Sequence, residues 1–499
     1  MTLRVRPCRP LAGVFSLLGC LALTWVSGCG GGAGGEDTAI EPPARVFLIV
    51  VDTLRADHLG TYGYPRATSP SLDSLAAEGV VFDRAIAQWP KTGASMASMF
   101  TGRYPQTTGL THRAAIRLPG EYETLPELFQ DSGYTTLAVI GNAVLSSELG
   151  WNQGFDEFVE PWKLEKVPPK TPLQWRKVLS GERITAAGIS LLEAHLEDPK
   201  LFVWLHYLEP HTPYVQPEGV ENPFLGDPYY TGERKIGSWF PRQEILDGRQ
   251  ELDYYIAQYD ANILLVDRAI RSFLDRARDL GLLENALVVF TSDHGEGLGQ
   301  HDELKHGRLP YNSTSRVPLF FWYPAAIDGE RRVERPVELI DLYPTFRDLV
   351  APDRDVEGFE GSSLIDFLRP PTKTSAVDSA IDSDRFRYAF SESGEQGWMH
   401  YRSIQSLEWK LIYHPKRSGR GLPMSYQLFD LDADPGETCD LIDSRRTRDL
   451  IDRRRREARA LRTELFAWMK QPKRIVEGGE AANQSDATIE ALKALGYLN

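Results

Sequence analysis

Apolar residues along the chain gather into short unbroken runs, and the stretches between them carry helical spacing. V-F-L-I-V-V (46–51), Y-T-T-L-A-V-I (134–140), L-F-V-W-L-H (201–206), A-L-V-V-F-T (286–291) and V-P-L-F-F-W-Y (317–323) have the length and continuity of strands buried on both faces. Residues 251–280 repeat apolar positions at helical period through Ile256, Leu264, Ile270 and Leu274. Another helix is predicted near Ser69–Gly79, with Ser69 placed to cap it just ahead of Pro70. Strands that alternate with helices predict an α/β fold: a large, mostly parallel sheet flanked by helices.

The texture changes beyond about residue 370. P-P-T-K-T-S-A-V-D-S-A reads as a linker, and Y-A-F-S-E-S, H-Y-R-S-I, W-K-L-I-Y-H and Y-Q-L-F-D-L read as strands of a smaller, antiparallel C-terminal sheet. A basic amphipathic helix follows, with Leu450, Leu461, Leu465 and Trp468 on its apolar side, so R-R-R-R-E at 453–457 is read as its solvated face. At the other end, Arg4, Arg6 and Arg9 precede an apolar segment from Leu11 to Val26, and Val26-Ser27-Gly28-Cys29 is a small-residue cleavage pattern followed by cysteine. That resembles a bacterial lipoprotein signal, in which Cys29 becomes the acylated amino terminus; a plain secretory signal or an uncleaved anchor is the alternative. The Gly-rich run 30–35 reads as a flexible tether and favours the lipoprotein.

Composition narrows the classes. With 42% hydrophobic and 25% charged residues the chain is globular in type. Loss of residues 1–28 removes three arginines and no acids, which moves the formal net charge from −14 to −17. Such acidity argues against nucleic-acid binding, where phosphate neutralisation supplies most of the affinity. Cys8 and Cys20 would leave with the signal and Cys29 would carry lipid, so Cys439 is expected to stand without a disulfide partner. Past the signal no run of about 20 apolar residues predicts a membrane span.

Ligands of open α/β sheets bind at the carboxyl ends of strands. V-V-D-T-L-R-A-D-H-L-G-T-Y-G places Asp52 at one such end, and F-T-S-D-H-G-E-G-L-G-Q-H places Asp293 and His294 at another. A single aspartate there is as readily a helix cap. Two such ends, together with His211, His301 and His306 in a chain of ten histidines, point to a site. Adjacent Asp and His followed by glycines suit a metal, and a carboxylate–imidazole mix suits Zn or Mn better than Mg.

Seven segments, in this order, resemble the sulfatase family of the alkaline phosphatase superfamily over residues 46 to about 440: V-D-T-L-R-A-D-H-L-G-T-Y-G-Y, T-G-R-Y-P, W-L-H-Y-L-E-P-H-T-P-Y, Y-D-A-N-I-L-L-V-D, F-T-S-D-H-G-E, S-R-V-P-L and Y-Q-L-F-D-L-D-A-D-P-G-E-T. The resemblance implies an alkaline phosphatase-like fold; with the signal, tether and change of texture read above, the chain is expected to divide into signal (1–28), tether (29–44), sulfatase-like catalytic domain (45–370), C-terminal α+β subdomain (371–475) and a tail with a short helix (476–499). Sulfatases carry Cys-x-Pro-Ser-Arg just before the Thr-Gly-Arg turn and convert the cysteine to formylglycine. Counted back from Thr101-Gly102-Arg103, the nucleophile position is Thr92, the proline position Ala94, the serine position Ser95 and the arginine position Met96. Threonine cannot become formylglycine. Phosphoethanolamine transferases and lipoteichoic acid synthases of the same superfamily are similar in using an unmodified threonine, and Thr53 stands where typical sulfatases have a second aspartate.

That resemblance implies one divalent ion (Ca, Mn or Zn) held by Asp52, Thr92, Asp293 and His294. Leu264, four residues after Asp260, speaks against a second ion. The ion would acidify the Thr92 hydroxyl and stabilise charge on the transferred group. The helix start at Thr92 would favour an anion. His211, His301 and His306 are candidates to bind the anion or protonate the leaving oxygen. Lys91, Lys305 and Ser95 are candidate substrate contacts, Ser98 is read as a packing residue, and Arg55 and Arg103 as loop braces. The expectation is a metal-dependent hydrolase of sulfate or phosphate esters, lipid-anchored in the bacterial envelope and acting on a glycan or lipid headgroup, with specificity set by loops 151–185 and 215–250. A transferase of phosphoryl-linked headgroups and a non-catalytic binding protein are the alternatives.

Overall fold

A computed structural model describes residues 40–497 apart from 112–115, 165–176, 218, 239, 356–357, 370–383, 395–399, 415–424, 443–447, 472–483 and 496. The signal, Cys29 and the linker near 371–380 lie outside the described residues.

Among the described residues nine strands make one sheet: β1 (Arg45–Val51), β2 (Val80–Ile86), β3 (Thr135–Ile140), β4 (Glu157–Val159), β5 (Leu201–Tyr207), β6 (Ala286–Ser292), β7 (Arg316–Val317), β8 (Leu319–Trp322) and β9 (Arg331–Glu338). Their order is β4-β3-β5-β1-β6-β8-β2-β7, with β9 on β2. β4, β3, β5, β1 and β6 run parallel, so the mostly parallel sheet is as the apolar runs indicate. β8 is antiparallel to β6, and the run 317–323 is broken at Pro318, which has no N–H to give a ladder.

Alternation along β1 splits the core into two layers. Val46, Leu48 and Val50 face a cluster with Met96 and Phe100 of helix Thr92–Thr101, Leu342 and Phe346 of helix Leu342–Val350, and Leu492 of helix Asp486–Ala494. Phe47, Ile49 and Val51 face helices Gly181–Ala194 and Leu252–Asp279 through Ile184, Leu192, Tyr259 and Phe273. Helices therefore cover both faces, as the α/β reading requires.

The cap of helix Pro70–Ala77 departs from the sequence reading. Ser69 sits at the capping position, but its hydroxyl is spent on Asp73 Oδ1 (3.1 Å). The backbone N–H groups of Ser71 and Leu72 donate instead to the buried carboxylate of Asp267, on a helix across the interface.

β10 (Ala389–Ser393), β11 (Tyr401–Gln405), β12 (Trp409–His414) and β13 (Ser425–Asp430) form the small antiparallel sheet in sequence order. Helix Arg448–Met469 covers it with Leu461, Leu465 and Trp468 against Ile404, Trp409 and Leu411. Arg455 and Arg456 on that helix are exposed. Cys439 is disulfide-bonded. This departs from the expectation that Cys439 stands without a disulfide partner. No helix among the described residues is long and apolar enough to cross a membrane.

Candidate functional site

Three neighbouring parallel strands end together. Val51 of β1 is level with Tyr207 of β5 and with Ser292 of β6, and Val50 is level with His206. The next residue after each of β1 and β6 is therefore brought to one spot: Asp52 and Asp293. The turns that follow are tied to each other. Thr53, at a left-handed φ of 57°, donates its N–H to Asp293 Oδ1 (3.1 Å), and Leu54 N donates to Ser292 Oγ (2.9 Å). Gly295 is required by packing, because a Cβ there would lie 2.2 Å from the Ser313 carbonyl oxygen.

Asp52, Asp293 and His206 have ligand atoms mutually within 4.8 Å, and all three are fully buried. His294 joins from the Asp293 side. Its Nδ1 donates to the Gly295 carbonyl (3.0 Å), which leaves the Nε2 lone pair 3.4 Å from Asp293 Oδ2 and 3.4 Å from Thr92 Oγ1. Asp293 Oδ2 and both ring nitrogens of His206 find no hydrogen-bond partner among the described residues. Burial pushes the His206 imidazole down to about 4, so at neutral pH it offers a lone pair and no charge. Acceptors converging in a dry interior repel unless a cation stands between them, so these residues fit a divalent metal.

Thr92 is the first residue of helix Thr92–Thr101, so the N–H groups of its opening turn and the positive end of the dipole face the cluster. Ser95 Oγ donates to the Asp293 carbonyl oxygen (2.5 Å), which ties the helix to β6 and occupies Ser95 in positioning. Ser98 is buried, in line with a packing role. A cavity of about 160 Å3 opens beside Thr92, lined by Lys91, His211, Lys305, His306 and Tyr497 among others.

His211 Nδ1 donates to the Thr212 carbonyl (2.6 Å), so in the neutral imidazole its Nε2 is an acceptor. His306 Nδ1 lies 3.0 Å from Glu296 Oε1. Burial pushes Glu296 well up, and burial with nearby His294, His211 and lysines pushes His306 well down, so the pair favours two neutral partners sharing one proton. Lys305 is paired with Glu244 (2.5 Å) at the rim.

Of the residues singled out in the sequence, the fold brings Asp52, Thr92, Ser95, Asp293, His294, His211, His306, Lys91 and Lys305 together. His301 is not brought in. It stacks on Tyr311 at 3.6 Å, outside the cavity lining, and burial, aided by Lys410 and Arg55, pushes it down to about 4. Asp260 is used elsewhere: His58 Nδ1 (2.7 Å), Tyr64 Oη (2.6 Å) and Arg66 Nη1 (2.8 Å) surround its carboxylate. Arg55 and Arg103 do brace loops, Arg55 on Asp57 and the Glu296 carbonyl, Arg103 on the Thr101 carbonyl and the Tyr122 ring.

Three site residues were not anticipated. His206 is the one polar side chain inside an otherwise apolar strand run, which was a readable signal. Asn142 lies just past the end of β3, where the strand-end rule applies, and it donates to Asp52 Oδ2 (2.6 Å). Tyr497 carries no local signal at all; it arrives from 355 residues beyond Asn142.

The sulfatase family profile matches residues 44–351. The chain belongs to the sulfatase family. A second profile, the C-terminal region of N-sulphoglucosamine sulphohydrolase, matches residues 299–464. Among curated sulfatases, the ulvan-active sulfatase of Formosa agariphila is 26% identical over 468 residues, covering 89% of this chain and 84% of that one. A protein solved in complex with its substrate D-glucosamine-2-N,6-O-disulfate superposes at a TM-score of 0.67 with 20% identity, covering 86% of this chain and 98% of that one. The phosphonate monoester hydrolase of Agrobacterium radiobacter superposes at 0.64 with 19% identity, covering 85% and 96%. At that identity the two structures establish the shared alkaline phosphatase-like fold. Members of the family are sulfuric ester hydrolases and are generally dependent on a divalent metal.

Proposed function

We propose that this sulfatase hydrolyses a sulfate ester of a glycan with unmodified Thr92 as its nucleophile. The observation that carries the reading is the position of Thr92 Oγ1: buried, at a helix N-terminus and 3.4 Å from His294 Nε2, which is itself 3.4 Å from Asp293 Oδ2. Oxidation of the secondary alcohol of threonine gives a ketone, never the aldehyde of formylglycine, so the hydroxyl itself must attack. Asp52, Asp293, His294 and Thr92, with His206 beside them, would hold the divalent ion, whose charge would stabilise the developing alkoxide and sulfo oxygens.

Thr92 Oγ1 forms a bond to sulfur while the bond from sulfur to the sugar oxygen breaks, leaving sulfo-threonine and a sugar oxygen that takes a proton. Water then attacks the sulfur, frees sulfate and returns the proton to Thr92. His211 and His306 face the cavity with imidazole nitrogens and supply or receive these protons. Lys91 and Lys305 at the rim attract the anionic ester. Sulfated glycans are the substrates of choice because a curated relative is described as ulvan-active and a structural neighbour was solved with a sulfated glucosamine. Acylation of Cys29 would hold the protein at the envelope surface, facing periplasm or exterior. The transferase and binding-protein alternatives draw no support from the relatives.

Metal-loaded protein incubated with sulfated glucosamines, aryl sulfates and phosphate or phosphonate esters tests the reading. Free sulfate release, abolished in Thr92→Ala, with an intact mass showing Thr92 unmodified, is the expected result. Turnover that survives Thr92→Ala sinks the threonine nucleophile, and release of phosphate alone sinks the sulfate assignment.

A further inference from the structure

Tyr497, just beyond helix Asp486–Ala494, reaches into the site. The helix is fastened at its start, where Ser485 N and Oγ donate to Glu148 (2.8 and 2.7 Å) and Glu148 pairs with Lys163 (2.9 Å). Along its length Ala491 and Leu492, then Leu495, are buried in the core beside turns 143–145 and 161–164. Tyr497 is thereby delivered to a fixed place. Its hydroxyl accepts from Asn142 Nδ2 (3.1 Å), lies 3.2 Å from His211 Nε2 and lies 3.4 Å from Thr92 Oγ1.

The proton directions follow from the partners. In the neutral imidazole His211 Nε2 is an acceptor because Nδ1 is committed to Thr212, and the phenol O–H then donates to it. The phenol oxygen is then left as an acceptor toward Asn142 and Thr92. Tyr497 Oη, 3.4 Å away, is thereby an acceptor for the Thr92 proton, whereas the His294 Nε2 lone pair, also at 3.4 Å, is the one that would face the ion. With its proton held by the phenol oxygen, Thr92 keeps an oxygen lone pair for the cavity, where the ester must sit. That cavity of about 160 Å3 exists with the tyrosine in place, several times the roughly 30 Å3 that one water occupies in the liquid. A sulfo group enters without displacing the ring.

We infer that Tyr497 is a positioning residue of this hydrolase: its hydroxyl links Asn142, His211 and Thr92 and orients the nucleophile toward the bound ester. The inference rests on the proposed role of Thr92 and adds to it a helix whose sequence shows no sign of chemistry. Asn142 also bonds Asp52 Oδ2, so the same chain of hydrogen bonds sets the geometry of the aspartate beside the nucleophile.

The test is Tyr497→Phe in the full chain, with Tyr497→Ala beside it. Loss of one oriented hydrogen bond predicts a fall in kcat of about tenfold for Tyr497→Phe. KM for an aryl sulfate, Kd for inorganic sulfate by calorimetry, and Tm are expected to stay near wild type, a split that a merely structural role would not give. Tyr497→Ala is expected to fall at least as far. An unchanged kcat, a kcat that drops only together with Tm, or a faster enzyme that binds sulfate more tightly overturns the inference; the last would make the tyrosine an obstruction. The two readings separate cleanly. Turnover surviving Thr92→Ala sinks the nucleophile, whereas an inactive Thr92→Ala beside an unimpaired Tyr497→Phe sinks the tyrosine role alone.

Discussion

His206 ends up beside Asp52 because one residue of register in β5 decides which face its side chain takes. Its Nε2 is 3.9 Å from Asp52 Oδ2. Truncation of such a neighbour is expected to weaken metal binding by about 10- to 100-fold. His206→Ala should therefore need that much more metal for half-maximal thermal stabilisation, measured by Tm against metal concentration. In the wild type, metal at a hundred times Kd should add about 2.7 kcal/mol to stability, removable by chelation. Thr92→Ser should retain measurable turnover where Thr92→Ala loses about a thousandfold or more, since on the proposed mechanism the hydroxyl is the group that attacks. At this scale the sequence was partly legible. Asp52, Asp293 and His294 stand at strand ends, where a rule exists to find them. His301 looked equivalent by type and proximity, but a left-handed φ of 54° turns it onto Tyr311, and no spacing rule reports that.

Helix Thr92–Thr101 needs a definite end as well as a definite start. Gly102 closes it at φ 63°, and a Cβ there would lie 3.0 Å from the Cβ atoms of both Phe359 and Tyr343. Gly102→Ala combines a left-handed residue with overpacking and is expected to cost about 2–4 kcal/mol, read as a lower urea midpoint with unchanged slope. Strands were legible where both faces are buried, as in β1, β3, β5 and β6. β9 was not, because R-R-V-E-R-P-V-E is an edge strand with alternate exposure and a proline. β2 was missed for a related reason: Asp83 and Arg84 interrupt its apolar run, and the strand carries a register shift between Phe82 and Arg84.

On the scale of the molecule, the large sheet and the small one meet over two buried carboxyls. Glu338 accepts from Tyr104 Oη (2.9 Å) and from the backbone of Phe390 at the start of the small sheet (2.9 Å), with Gln88 Nε2 nearby (3.2 Å). Burial, then the neighbouring Asp341, pushes Glu338 up; burial pushes Asp341 up too; Glu360 and Arg385 line the same cavity. A carboxyl raised on folding binds its proton more tightly in the native state, so its contribution is complete below about pH 4 and is lost as pH rises through the native value. Glu338→Gln should therefore lose less Tm than wild type between pH 5 and 9; an identical loss in both would exclude this pair as the source. The same long-range character shapes how the site comes into being. Thr53 and Asp293 are hydrogen-bonded across 240 residues of chain, and closing so long a loop costs on the order of 5 kcal/mol before any contact repays it. A pocket built this way is expected to be completed late in folding. A bound cation would then act as a latch, raising the barrier to unfolding while leaving the rate of folding nearly untouched.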